Sequence, residues 1–126
     1  MKKIFSLFLC FLIHAAHADE NEINQLLNKV ETSEIQFERN GQKHSGQEAR
    51  QHLEKKFNWA KRWKLRSQPI RTEDFIKKIA SRSSTSGEEY YVILKDGSKI
   101  KTEEWLNSEW EKIKKQGENQ TPPSQR

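Results

Sequence analysis

Two turn dipeptides, Asn40-Gly41 and Asp96-Gly97, constrain this chain most, because each follows a short β-prone run while the rest of residues 19–116 has helical spacing. Glu34 to Arg39 alternates polar and apolar through Ile35 and Phe37, so a two-residue loop opposes Arg39 to Gln42, Glu38 to Lys43 and Phe37 to His44. Glu38 and Lys43 carry the opposite charges that such a pairing favours. Tyr90 to Leu94 runs into Lys95-Asp96-Gly97-Ser98, and a second two-residue loop opposes Ile93 to Ile100.

Around the hairpins, Ile23, Leu26, Leu27 and Val30 recur at i, i+3, i+4 and i+7, one stripe of a helix from about Glu20 to Thr32. Ser45 and Glu48 form a capping box ahead of Ala49, Leu53, Phe57 and Ala60, which predicts a second helix ending before Pro69. Thr72 with Glu73 and Asp74 opens a third, burying Phe75, Ile76, Ile79 and Ala80 and broken by Ser83-Ser84-Thr85-Ser86-Gly87. Thr102 caps a last helix with Leu106, Trp110 and Ile113 on one face, and Gly117 stops it. No internal repeat is present. Helix, hairpin, helix, helix, hairpin, helix is neither a βαβ alternation nor an all-β spacing. The expectation is one small α+β domain over 19–116 with short antiparallel strands, then a disordered tail over 117–126.

The first eighteen residues read as an address. Lys2 and Lys3 precede an apolar run from Ile4 to Ala16, and Ala16-His17-Ala18 is a small-x-small cleavage site, so residues 1–18 are expected to be a secretory signal peptide. The run is shorter than the roughly 20 residues a membrane-spanning helix needs, and no anchor remains after cleavage. Cys10 lies inside that run behind bulky Leu9, a poor setting for lipidation, and is the only cysteine; residues 19–126 must hold together without a disulfide. The full chain carries a formal charge of +5, reduced to a mildly basic balance when Lys2 and Lys3 leave. Such a balance does not ask for nucleic acid, and outside the cytosol the available anions are phospholipid, lipopolysaccharide and cell-wall polymers.

Three clusters bear on chemistry. His44, Glu48 and His52 are spaced four apart across the start of the second helix, compatible with a metal site; the plainer reading makes Glu48 a capping residue bonded back to the Ser45 amide, His44 a hairpin side chain and His52 a half-buried helix residue. The Ser83-Ser84-Thr85-Ser86 run offers a nucleophile only if a base approaches it in space, and otherwise reads as a loop or an anion cradle. G-x-S-x-G is absent, and Ser98-Lys99-Ile100-Lys101 matches S-x-x-K only by letters. Lys55, Lys56, Lys61, Arg62, Lys64, Arg66 and Arg71 surround Trp59 and Trp63, a pair four apart. Either the rings cover the core edge, the preferred reading because large aromatics usually supply burial in small domains, or the cluster meets an anionic membrane surface.

Taken in order, Phe37-x-Arg39-Asn40-Gly41-x-x-His44, Glu48-Ala49-x-x-His52-Leu53-x-x-Lys56, Thr72-Glu73-Asp74-Phe75-Ile76, Ser83-Ser84-x-Ser86-Gly87 and Trp105-Leu106 resemble the YfeK-like family, small bacterial periplasmic proteins of unknown function. The resemblance spans roughly Ile23 to Ile113. It implies a bacterial source and a periplasmic address, and brings no reaction, substrate or cofactor. The expected function is an accessory or binding module that recognises an envelope component through Arg39, Asn40, His44, His52, Ser83, Ser84 and Ser86. Trp59, Arg62, Trp63 and Lys64 are the candidate membrane or anion contacts. Alternatives are a small hydrolase or metal-dependent enzyme using His52 with Glu48 or a serine of the loop, and an assembly factor that binds a protein partner. No catalytic residue, metal ligand or cofactor is assigned.

Overall fold

Ile23, Leu26, Leu27 and Val30, none more than 1% exposed, form the stripe on which the core is built. They belong to helix α1 (residues 19–32) of a computed structural model that describes residues 19–64 and 68–120. The expected leader over 1–18 lies outside the described residues. Strands β1 (Gln36–Arg39) and β2 (Gln42–His44) follow, then α2 (Gly46–Lys64), a single helical turn α3 (Thr72–Asp74) that widens into a π-helical stretch (Phe75–Ala80), β3 (Tyr91–Ile93), β4 (Lys99–Lys101) and α4 (Thr102–Gln120). The four strands form one antiparallel sheet in the order β2-β1-β3-β4, and α2 and α4 pack against it. The architecture is α+β in a single small domain.

The sheet joins the two hairpins through β1 and β3, where Phe37 faces Val92; both are buried, and Phe37 meets the Trp105 ring edge-on at 5.6 Å. On the outer face Glu38 reaches over β3 to Lys99 at 2.5 Å, while Lys99 lies 4.6 Å above the Tyr91 ring. Lys43, opposite Glu38 in the register, is therefore not its salt-bridge partner.

The first hairpin has the predicted register, with Asn40 and Gly41 both at positive φ (51° and 78°) as a type I′ turn requires. The second differs by one residue: Ile93 faces Lys99, and Val92 faces Ile100. Here the Gly97 N–H donates to the Leu94 carbonyl and the Leu94 N–H to the Ser98 carbonyl, closing a three-residue loop with Gly97 as a left-handed bulge (φ 88°). Asp96 selects this form. Its carboxylate accepts from the Ser98 N–H at 2.9 Å and the Ser98 hydroxyl at 2.6 Å.

Helix ends depart from expectation in physical ways. Thr72 does not cap its helix: Arg71 holds that position without a side-chain bond, and Thr72 is buried, its hydroxyl and N–H tied to Asp19 at the start of α1. Thr102 is the first residue of α4; its N–H donates to the Tyr90 carbonyl, and its buried hydroxyl caps nothing. Gly117 does not stop α4, which runs to Gln120. It does not adopt the positive φ that a terminating glycine needs, and a helical glycine costs only about 1 kcal/mol relative to alanine. The rest of the expected tail, 121–126, lies outside the described residues. At the start of α2, Gly46 is buried against the last turn of α1. A Cβ there would sit 3.0 Å from the Glu31 carbonyl oxygen and closer still to that of Val30.

Candidate functional site

Along α2 the core stripe of Ala49, Leu53, Phe57 and Ala60 has two polar borders. On one, Arg50 pairs with Glu31 at 2.6 Å and Lys61 with Glu20 at 3.2 Å, fastening α2 to α1. The other carries His52, Lys55, Lys56, Trp59, Arg62 and Trp63, residues three and four apart that share a face. Among the described residues, no carboxylate forms an ion pair with Lys55, Lys56 or Arg62.

His52 is the hinge of the site. Its Nε2 lies 3.4 Å from the hydroxyl of Tyr90, the residue leading into β3, and the two rings meet edge-on. Lys56, one turn on, donates to the Arg82 carbonyl at 2.7 Å and lies 5.1 Å from the centre of the Tyr90 ring. From the sheet, Arg39 at the end of β1 adds a third cationic side chain, which makes no hydrogen bond or ion pair among the described residues. The gathering has an electrostatic cost. Burial, then the charges of Arg39, Lys56, His44 and Lys55, lowers the His52 pKa to about 4; burial and Arg39 lower that of Lys56 to about 8. Burial also raises the Tyr90 phenol.

Two recesses meet at His52. The inner one, about 30 Å³, is lined by Arg39, His44, His52, Tyr90 and Thr102 over apolar Phe37 and Leu53, with Glu38 and Glu48 on its wall. Both carboxylates are engaged elsewhere: Glu38 with Lys99, and Glu48 with His44 Nδ1 at 3.1 Å, a bond that lowers the Glu48 pKa. His44 Nε2 and the Thr102 hydroxyl, both lining this recess, are buried without a hydrogen-bond partner in the protein. The outer recess, about 480 Å³, is a groove between α2 and the π-helical stretch. Lys55, Lys56 and Lys78 rim it, and Trp59, Ala60 and Ile79 give it an apolar wall, with His52 and Ser84 completing it.

The polar residues singled out in the sequence divide accordingly. Arg39, His44 and His52 converge on the inner recess, and Ser84 joins His52 in the groove. Asn40 only turns the chain. Ser83 staples its loop and also reaches the site: buried, it accepts from the Thr85 and Ser86 amides and shares a side-chain hydrogen bond with Tyr90, while the Ser86 hydroxyl accepts from the Glu88 amide. The expected capping box forms at the start of α2: the Ser45 hydroxyl accepts from the Glu48 amide, and the Glu48 carboxylate meets the Ser45 amide and hydroxyl as well as His44. His52 thus faces Tyr90 rather than Glu48, so the carboxylate that would orient it as a base is on another histidine. No three metal-ligating side chains converge among the described residues. Tyr90, Thr102 and Lys56 are site residues that the sequence marks only as, in turn, a strand former, a helix cap and a member of a basic cluster and of the resemblance motif. Lys56 had a signal, the same four-residue spacing from His52 that drew attention to Glu48.

Trp59 and Trp63 overturn the preferred burial reading: they are 64% and 70% exposed, with ring centres 6.0 Å apart. Arg62 is exposed beside them. The Lys64 side chain and Arg66 lie outside the described residues.

Residues 17–114 match the profile of a family of unknown function, DUF5329, and the chain belongs to that family. No curated protein and no solved structure matches it. The matched span contains every residue of both recesses.

Proposed function

We propose that this member of the DUF5329 family is an exported, non-catalytic binding module of the bacterial envelope that holds an anionic ligand at the junction of the two recesses. One observation carries the reading. Arg39, His52 and Lys56 gather around Tyr90 with both neighbouring carboxylates committed elsewhere, so protonation of His52 and Lys56 is disfavoured in the free protein. An anion reverses that cost, accepting charge-assisted hydrogen bonds from Arg39 and Lys56 and favouring the protonated His52. The groove volume of about 480 Å³ suits a small molecule, and its Trp59, Ala60 and Ile79 wall suits an apolar portion attached to the anionic group. The leader-like residues 1–18 support export and a periplasmic location. A mature chain beginning at Asp19 in the periplasmic fraction is expected, and Met1 retained on cytosolic protein contradicts export.

Amide NMR shifts test the binding site with sulfate and hexyl sulfate as probes. Sulfate shifts the amides around Arg39, His52 and Tyr90, and hexyl sulfate shifts those of Ala60 and Ile79 as well and binds at least tenfold tighter, because buried methylenes add affinity. Arg39→Gln abolishes both responses. Shifts scattered over surface lysines, or a response unaffected by Arg39→Gln, overturn the proposal.

A further inference from the structure

The Trp59–Trp63 pair serves neither the core nor, at Trp63, the groove, and its surroundings specify what would cover it. Trp105 is buried and Trp110 half-buried with its indole N–H donated to Glu22, so the pair on α2 stands apart from the other tryptophans. The rings are tilted at 49° to one another and project from the helix. They are flanked on the same face by Lys55 and Arg62, neither paired with a carboxylate among the described residues. Of the carboxylates near α2, Glu31, Glu54 and Glu20 hold Arg50 and Lys61 on the opposite border, and Glu48, at the start of the helix, is bound to His44.

We infer that this ridge is a membrane-docking surface that seats the protein on a bilayer rich in anionic phospholipid. Indole combines an apolar body with a polar N–H and settles at the depth of lipid headgroups, while unpaired Lys and Arg beside it meet the phosphates. A projecting pair of rings with cations at its base fits a deformable anionic interface by charge and by shape. Seated this way, the protein also turns the groove towards the bilayer, since Trp59 belongs to both features. The inference stands on the exposed pair and its charges, independently of the anion site.

Co-sedimentation with vesicles tests it, comparing equal phosphatidylglycerol and phosphatidylcholine with phosphatidylcholine alone, at low and high NaCl. Binding to the anionic vesicles is expected, together with its loss on neutral vesicles and its weakening by salt. Trp59→Ala combined with Trp63→Ala weakens binding at least tenfold, and Lys55→Gln or Arg62→Gln by about fivefold each. All four positions are exposed, and circular dichroism checks that the variants remain folded. Absence of vesicle binding, indifference to lipid charge, or full binding by the double tryptophan variant overturns the inference, the first pointing to a protein partner for the ridge. Sulfate binding by Trp63→Ala keeps the two proposals separable: if vesicles fail and sulfate still binds, only the docking surface falls.

Discussion

His52 is held neutral by its neighbours, and that has a thermodynamic signature. Burial comes first, then Arg39 from β1, Lys56 and Lys55 from α2 and His44 from β2, while Tyr90 offers a hydroxyl; together they lower its pKa from 6.5 to about 4. Between those values the unfolded chain binds a proton that the folded chain refuses, so stability present above pH 6.5 is lost as pH falls towards 4. Wild-type denaturation midpoints are expected to fall from pH 7 to pH 4.5 more steeply than those of His52→Gln, and parallel pH dependences contradict the assignment. Arg39 and His52 were legible in the sequence because each is a polar residue without an obligatory backbone task, and His44 because it stands four residues before Glu48. Tyr90 was not, because a tyrosine beside a strand reads as a β-former, and its hydroxyl gains meaning only when a helix 38 residues away brings His52 to it. The second hairpin shows the same limit at finer scale. Asp-Gly permits a type I′ turn or a type I turn with a glycine bulge, and the bonds from Asp96 to Ser98 decide for the bulge.

At the scale of elements, α2 organises the molecule by giving its two polar borders different work. The border facing α1 is neutralised by Glu20 and Glu31, and the other is left basic. That orientation depends on the close approach of α1 and α2 at Gly46, where a methyl group collides with backbone carbonyls that cannot swing aside as a side chain would. Gly46→Ala is expected to destabilise the fold by about 2 kcal/mol or more, read by chemical denaturation, whereas Gly117→Ala, facing open space in α4, is neutral or slightly stabilising. Equal effects of the two changes contradict this account of helix packing. The stripes of α1, α2 and α4 were legible because 3.6-residue spacing survives any tertiary arrangement. The π-helical stretch was not: its widened turn has no composition of its own, and its end is satisfied by the Ser81 hydroxyl donating to the Ile76 carbonyl, a contact with no sequence pattern.

As a whole, a small fold without a cysteine in its described residues keeps one apolar core and gathers uncompensated positive charge on one side. A structural role alone would favour a carboxylate beside Arg39 and Lys56, since cations gathered in a half-buried place without counter-charge oppose folding. The central claim is that an anion supplies that charge. Calorimetric titration of sulfate at pH 5.5, in two buffers of different ionisation enthalpy, tests it most directly because it reads binding and proton exchange together. Sulfate is predicted to bind with net proton uptake as the His52 pKa rises from about 4; His52→Gln removes the uptake, and Arg39→Gln removes the binding. No heat of binding, or binding without proton uptake, would contradict the account.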